Sequence, residues 1–290
     1  MHSRIRARIA RASVVFALAG LAGLAPQADA ARVGVLSNKF AIETASDFSA
    51  KIPGHSFTPV VLGPVPTLSD LTDNFDVILL FEDTTFSNAP AVGDVAAAFA
   101  KSGRTVVLGT FYDEDRSDGP TAPFTPHGWG QMETIDPNTT DGVGTAYATR
   151  SLNIATMVAH PLTAGVKSLA SAKYAGGNDA KPGTFVVAAW DQKNARGNVD
   201  PAIAYRVTGL ACVIHVAIAP DYPTVGVAGV DFTGDFYVVW KNAFDFAGHQ
   251  CVAAAPGVIV IPALDSVSLA ALALLLAALG AVALRRQRVR

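Results

Sequence analysis

The segment FDVILLFEDTTFSNAPAVGDVAAAFAKSGRTVVLGTFYDED, Phe75 to Asp115, decides the fold class. Its two apolar runs, Asp76–Phe81 (DVILLF) and Arg104–Gly109 (RTVVLG), lack the alternation of a half-exposed strand. Short, continuously apolar runs are the pattern of strands buried on both faces. Between them, Asn88–Lys101 predicts a helix: Val92, Val95 and Phe99 form its apolar stripe, and Gly103 follows its end as a C-cap signal. A strand–helix–strand unit of this length joins parallel neighbours in one sheet.

Working outward, Arg32–Ser37 reads as a strand, Phe40–Lys51 as a helix and Ser56–Leu62 as a second strand. After Gly109 the pattern breaks. Residues 110–183 are rich in Gly, Pro, Asp, Thr and Asn with short apolar runs only. Stretches of this length without pattern carry function or hold elements that periodicity does not reveal. Thr184–Trp190, Ala202–Val207 and Leu210–Ala219 then read as strands. Thr233–Ala247 predicts a closing helix with Phe236, Val239, Trp240, Ala243 and Phe244 along one side. The expected fold is α/β, a three-layer sandwich around a mostly parallel sheet.

FDVILLFEDTTF, the helix after it and GRTVVLGTFYDED resemble the core of the class I glutamine amidotransferase-like fold, a flavodoxin-like sandwich. HPLTAGVKSL (His160–Leu169), TFVVAAW and the closing helix resemble exported, non-catalytic relatives of that fold. In the catalytic members a Cys follows the strand that RTVVLG matches, and a His-x-Glu lies on a later strand. Here Thr110, Phe111 and Tyr112 follow Gly109, and His215 is followed by Val216 and Ala217. With neither thiol nor orienting carboxylate, the resemblance implies a domain without catalytic residues, and His215 reads as a core histidine.

Other groups invite chemistry. Thr110 is a nucleophile only with a base beside it, for which His127 and His160 are the candidates. His160-Pro161 also reads as a structural cap. Asp113, Asp115 and Ser117 have the alternate spacing of a calcium loop, but Gly119 comes one position late and Phe124 stands where the bidentate Glu belongs. Ca²⁺ is therefore the one candidate cofactor, against a plain solvated turn. Trp129, Trp190, Tyr147 and Tyr222 are candidates for a sugar-binding surface, with core packing as the alternative. Cys212 and Cys251 are an even pair in a chain that reads as exported, hence a candidate disulfide; two buried thiols are the alternative.

The export reading comes from the ends. Arg4, Arg6, Arg8 and Arg11 precede an apolar run at Ala12–Ala25 and the small-x-small site Ala28-Asp29-Ala30, so residues 1–30 read as a signal peptide. At the other end, Val267–Leu284 is an uncharged stretch near the minimum for a transmembrane helix, followed by Arg285, Arg286, Arg288 and Arg290. Arginines beside a span favour the cytoplasmic side, which leaves the domain outside the inner membrane. Ile261, Pro262 and Leu264 ahead of this helix resemble the IPTL-type C-terminal sorting signal of Gram-negative bacteria, related to the PEP-type signals of exosortases. Ala263 replaces the usual Thr, and Val267-Ser268 replace Trp-Gly. The resemblance implies an exosortase-type protease as partner, with release or transfer of the domain to the cell surface. The chain thus divides into a signal peptide (1–30), an exported domain (31–250), a linker (251–260) and a sorting segment (261–290).

The overall net charge of −2 conceals an acidic domain. Eight of the 22 basic residues but only two of the 24 acidic ones fall in the two ends, leaving −8 between them. No basic patch stands out, so nucleic acid is not an expected partner. The leading expectation is a surface module that is structural or binds a ligand. The alternatives are an exported hydrolase of carbohydrate or peptide with its site in residues 110–183, and a calcium-stabilised adhesion module.

Overall fold

A computed structural model of the protein describes residues 30–83, 88–114, 128–139, 149–171, 177–225, 231–249 and 251. Residues 1–29 of the expected signal peptide, Asp115, Ser117, His127, Tyr147, the expected sorting motif at Ile261, Pro262 and Leu264, the apolar stretch 267–284 and the terminal arginines lie outside these residues. Among the described residues no helix is long and apolar enough to cross a membrane.

The elements run β1 (Arg32–Ser37), α1 (Ala41–Lys51), β2 (Ser56–Val61), α2 (Leu68–Thr72), β3 (Val77–Leu80), α3 (Ala89–Lys101) and β4 (Thr105–Gly109). Short 3₁₀ turns follow at Tyr112–Glu114, Gly130–Thr134, Ile154–Thr156 and Pro161–Thr163. Among them lie β5 (Arg150–Ser151) and β6 (Leu169–Ser171). The chain then makes β7 (Phe185–Ala189), β8 (Pro201–Thr208), β9 (Ala211–Val216), α4 (Tyr222–Val225), β10 (Phe232–Gly234) and α5 (Phe236–His249).

The main sheet has seven strands in the order β2-β1-β3-β4-β9-β8-β7. The β2–β1, β1–β3, β3–β4 and β4–β9 pairs are parallel, whereas β8 runs antiparallel to both of its neighbours. A direct hairpin joins β8 to β9, with Thr208 opposite Ala211. β3 and β4 are buried at every residue, as their unbroken apolar runs require. Pro59 stands in β2, an edge strand, where its missing N–H leaves no ladder gap inside the sheet.

Alternate residues of the central strands feed two cores. One gathers Val35, Leu79, Phe81, Val107 and Ile214 with Phe48 of α1 and Phe236, Trp240 and Phe244 of α5. The other gathers Leu36, Ile78, Leu80, Val106 and Leu108 with Leu71 of α2 and Val92, Ala96 and Phe99 of α3. Helices therefore cover both faces, and each core draws on alternate positions of one strand. In the first core, Phe48 lies within 6.5 Å of Phe57, Phe236, Tyr237, Trp240 and Phe244, centroid to centroid.

The structure departs from the expected pattern in three places. The closing helix begins at Phe236, three residues later than expected, because Phe232–Gly234 pairs as β10 with β6. Gly234 at φ 87 is outside helical space, and Asp235 binds the Lys167 and Ser168 amides instead of extending the helix. α2 is an additional element, fixed by a capping box in which Thr67 accepts from the Asp70 amide and Asp70 accepts from the Thr67 amide. The patternless middle contributes β5 and β6 to a small antiparallel sheet completed by β10, in the order β10-β6-β5.

Candidate functional site

β1, β3, β4 and β9 are parallel, so their C-terminal ends form one crest, the place where open α/β sheets bind ligands. At the β1 and β3 ends, Lys39 pairs with Asp83 at 3.0 Å, and the Asp83 amide donates to Asn38 Oδ1 at 3.3 Å. Glu82, Thr110 and Asp113 come next, all three buried. The Phe111 amide donates to the Glu82 carbonyl and the Thr110 amide to Ile218, which ties the chain after β4 to both neighbouring strands. The Thr110 hydroxyl has no hydrogen-bond partner among the described residues.

His215 faces Leu108 across the β4–β9 ladder and is 1 % exposed. Its Nδ1 accepts a 2.7 Å hydrogen bond from Asn138 Nδ2, which assigns the proton to Nε2. Burial, with the Lys181 cation adding to it, pushes its pKa down to about 3, so the ring stays neutral. The side chain that orients it is an amide, not a carboxylate.

The other expected site residues fall elsewhere. His160 caps the 3₁₀ turn that follows it: its Nδ1 accepts from the Leu162 amide at 3.2 Å and Thr163 closes the box. The ring stacks on Tyr205 at 5.2 Å and meets Phe246 edge-on, so it serves the cap and not Thr110. Trp129, Trp190 and Tyr222 are buried, none more than 4 % exposed, and of the three Trp190 borders a cleft, at the β7 edge. Trp129 stacks on Tyr112 and donates Nε1–H to the Tyr112 carbonyl at 2.7 Å. Tyr222 and Ser171 share a buried hydrogen bond of 2.7 Å. Asp113 is buried beneath the crest, not splayed into a solvated turn. Among the described residues, no group of three or more His, Cys, Asp or Glu side chains is arranged to hold a metal ion. Cys212 and Cys251 are joined as a disulfide with Cα atoms 6.0 Å apart, which pins the chain two residues beyond α5 to β9.

Two features that sequence reading did not find now stand out. The first is a cleft of about 370 Å³ at the β7 edge, lined by Asn153, Thr156, Trp190, Asp191, Lys193 and Val199 among others. Its volume is within the range of small-molecule sites, and the register shifts of β7 lie along its wall. The second is a polar group in which the half-buried Lys181 reaches the buried Asp136 and Tyr112. A lone Asp and Lys 45 residues apart give no sequence signal of meeting.

No family model matches the chain, and no curated protein does. Among solved structures, a cytoplasmic protein from Salmonella typhimurium aligns with a TM-score of 0.50 at 11% identity, covering 74% of this chain and 98% of its own. A second, from Salmonella typhimurium LT2, aligns at 0.49 and 12%, covering 74% and 99%. A ThuA-like protein from Bacteroides uniformis aligns at 0.46 and 12%, covering 77% and 93%. The first likeness supports the α/β fold with its mostly parallel sheet, and these similarities go no further than fold.

Proposed function

We propose that this chain is an exported cell-envelope protein whose glutamine amidotransferase-like sandwich binds a ligand or serves as scaffold and does not catalyse. The observation that carries the reading is the end of β4. Gly109 leads there to a lone buried Thr110 hydroxyl, and the nearest strand histidine, His215, is neutral, sealed and oriented by Asn138. A hydroxyl needs a base within hydrogen-bond reach to attack, and His215 spends its basic nitrogen on Asn138. The cleft beside β7 is the ligand site this reading favours, since it combines apolar walls with Asn153, Thr156, Asp191 and Lys193.

Export and sorting are the second half of the proposal. The signal peptide delivers the domain to the periplasmic side, the C-terminal helix tethers it in the inner membrane, and an exosortase-type protease processes the segment around Ile261, Pro262 and Leu264. The resulting location is the cell surface or the medium. The experiment for the catalytic half is a turnover assay of the purified protein on ester, amide and glycoside substrates beside Thr110→Ala. No turnover in either is expected. Turnover lost in the variant with the fold retained would favour the hydrolase reading instead.

A further inference from the structure

Asp136 is wholly buried, at 0 % exposure. Lys181 Nζ is in direct contact with Asp136 Oδ1 and also donates to the Glu133 carbonyl at 2.8 Å. The Tyr112 hydroxyl donates to the other carboxyl oxygen, Oδ2, at 3.0 Å. Trp129 stacks on Tyr112 at 4.8 Å, and Met132 and Ile135 are buried beside them in sequence. The backbones bearing the pair are themselves fastened. Lys181 N–H donates to the Pro137 carbonyl at 2.8 Å, Asn138 and Ala180 form a β-bridge, and Thr139 N–H donates to Asp179 at 2.9 Å. Arg206 holds the Thr134 and Asp136 carbonyls from β8. Amine and carboxyl are therefore held at fixed reach, the carboxyl sealed from water and the lysine side chain 20 % exposed, and proximity of this kind favours condensation.

We propose that Lys181 and Asp136 condense into an intramolecular isopeptide bond. Nζ bonds to Cγ, and the charge that develops on Oδ2 is held by the Tyr112 O–H. The Cγ–Oδ1 bond then breaks. Two of the three ammonium protons leave with Oδ1 as water, and the third stays on the amide nitrogen. Ammonium and carboxylate thus give amide and water with no other reactant. Burial favours the neutral form of the carboxyl and raises its pKa to about 6, against the pull of Lys181 and Tyr112; the Glu133 charge adds to the rise. Proton transfer from Nζ to the carboxyl, which produces the reactive neutral pair, is easier for that reason. The inference is independent of the reading of the crest and of the chain's destination.

Peptide mapping of the purified, folded protein by mass spectrometry tests it. The expected result is a cross-linked pair carrying residues 136 and 181, lighter than its two linear peptides by one water. The pair should be absent from Lys181→Arg and Asp136→Ala, and its fraction should fall in Tyr112→Phe. Linear, unmodified peptides for both positions in the folded wild-type protein, after prolonged incubation, would overturn the proposal whether or not the variants fold.

Discussion

Removing the Cys212–Cys251 bridge should cost about 4 kcal/mol of stability. The bridge closes a segment of 39 residues that contains α4, β10 and α5. Cross-linking such a loop removes about 13 cal/mol/K of chain entropy from the unfolded state, which is about 4 kcal/mol at room temperature. The native state carries no offsetting rearrangement, since the Cα separation of 6.0 Å lies within the usual range for disulfides. Both sulfurs are buried, Cys212 in the core shared with α5, so the native fold remains packed around the reduced pair. With a urea slope of about 3 kcal/mol/M, the unfolding midpoint should drop by about 1.3 M. Equilibrium unfolding with and without dithiothreitol reads this directly, and Cys251→Ser should match the reduced wild type. A midpoint unchanged by reductant would refute the reasoning, because it would mean that the 39-residue closure restrains nothing in the unfolded chain.

Three further outcomes follow from named contacts. His215 has its folded pKa at about 3, below its ordinary value of 6.5, so the unfolded chain binds the extra proton between these limits. Its contribution to stability is full above the unfolded pKa and declines as pH falls toward 3, by about 1.4 kcal/mol per pH unit, and His215→Gln should flatten that limb in urea unfolding at pH 7, 5.5 and 4.5. Gly93 packs so closely that a Cβ would lie 1.8 Å from the Trp129 carbonyl oxygen; Gly93→Ala should therefore cost about 1–3 kcal/mol or more, measured as a lower Tm. Thr67→Ala removes the α2 capping box and should cost about 1 kcal/mol in the same assay, with no change in the near-ultraviolet spectrum of the aromatic core.

The fold was legible where local pattern and burial coincide. DVILLF and RTVVLG are strands because nothing polar interrupts them, and the Val92–Phe99 stripe marks the face that α3 buries against β4. Sequence reading lost its grip where pairing over long distances decides the outcome. β10 was hidden inside a helical pattern because its partner β6 lies some sixty residues earlier. α2 had a readable signal in Thr67-x-x-Asp70 but is too short to show a period. The site was less legible than the fold. The missing thiol after β4 can be read from Thr110, but the orientation of His215 by Asn138 cannot, since the two are 77 residues apart. Asp136 and Asp113 look like surface residues in sequence because carboxylates are rarely fully buried unless paired.

Mass spectrometry of the protein recovered from the surface of a Gram-negative host bears most directly on the central claim, that the chain is an exported, sorted module. The expected result is an N-terminal peptide beginning at Ala31 and no peptide from 267–290. Recovery from the cytoplasm with Met1 and the terminal arginines both in place would contradict it.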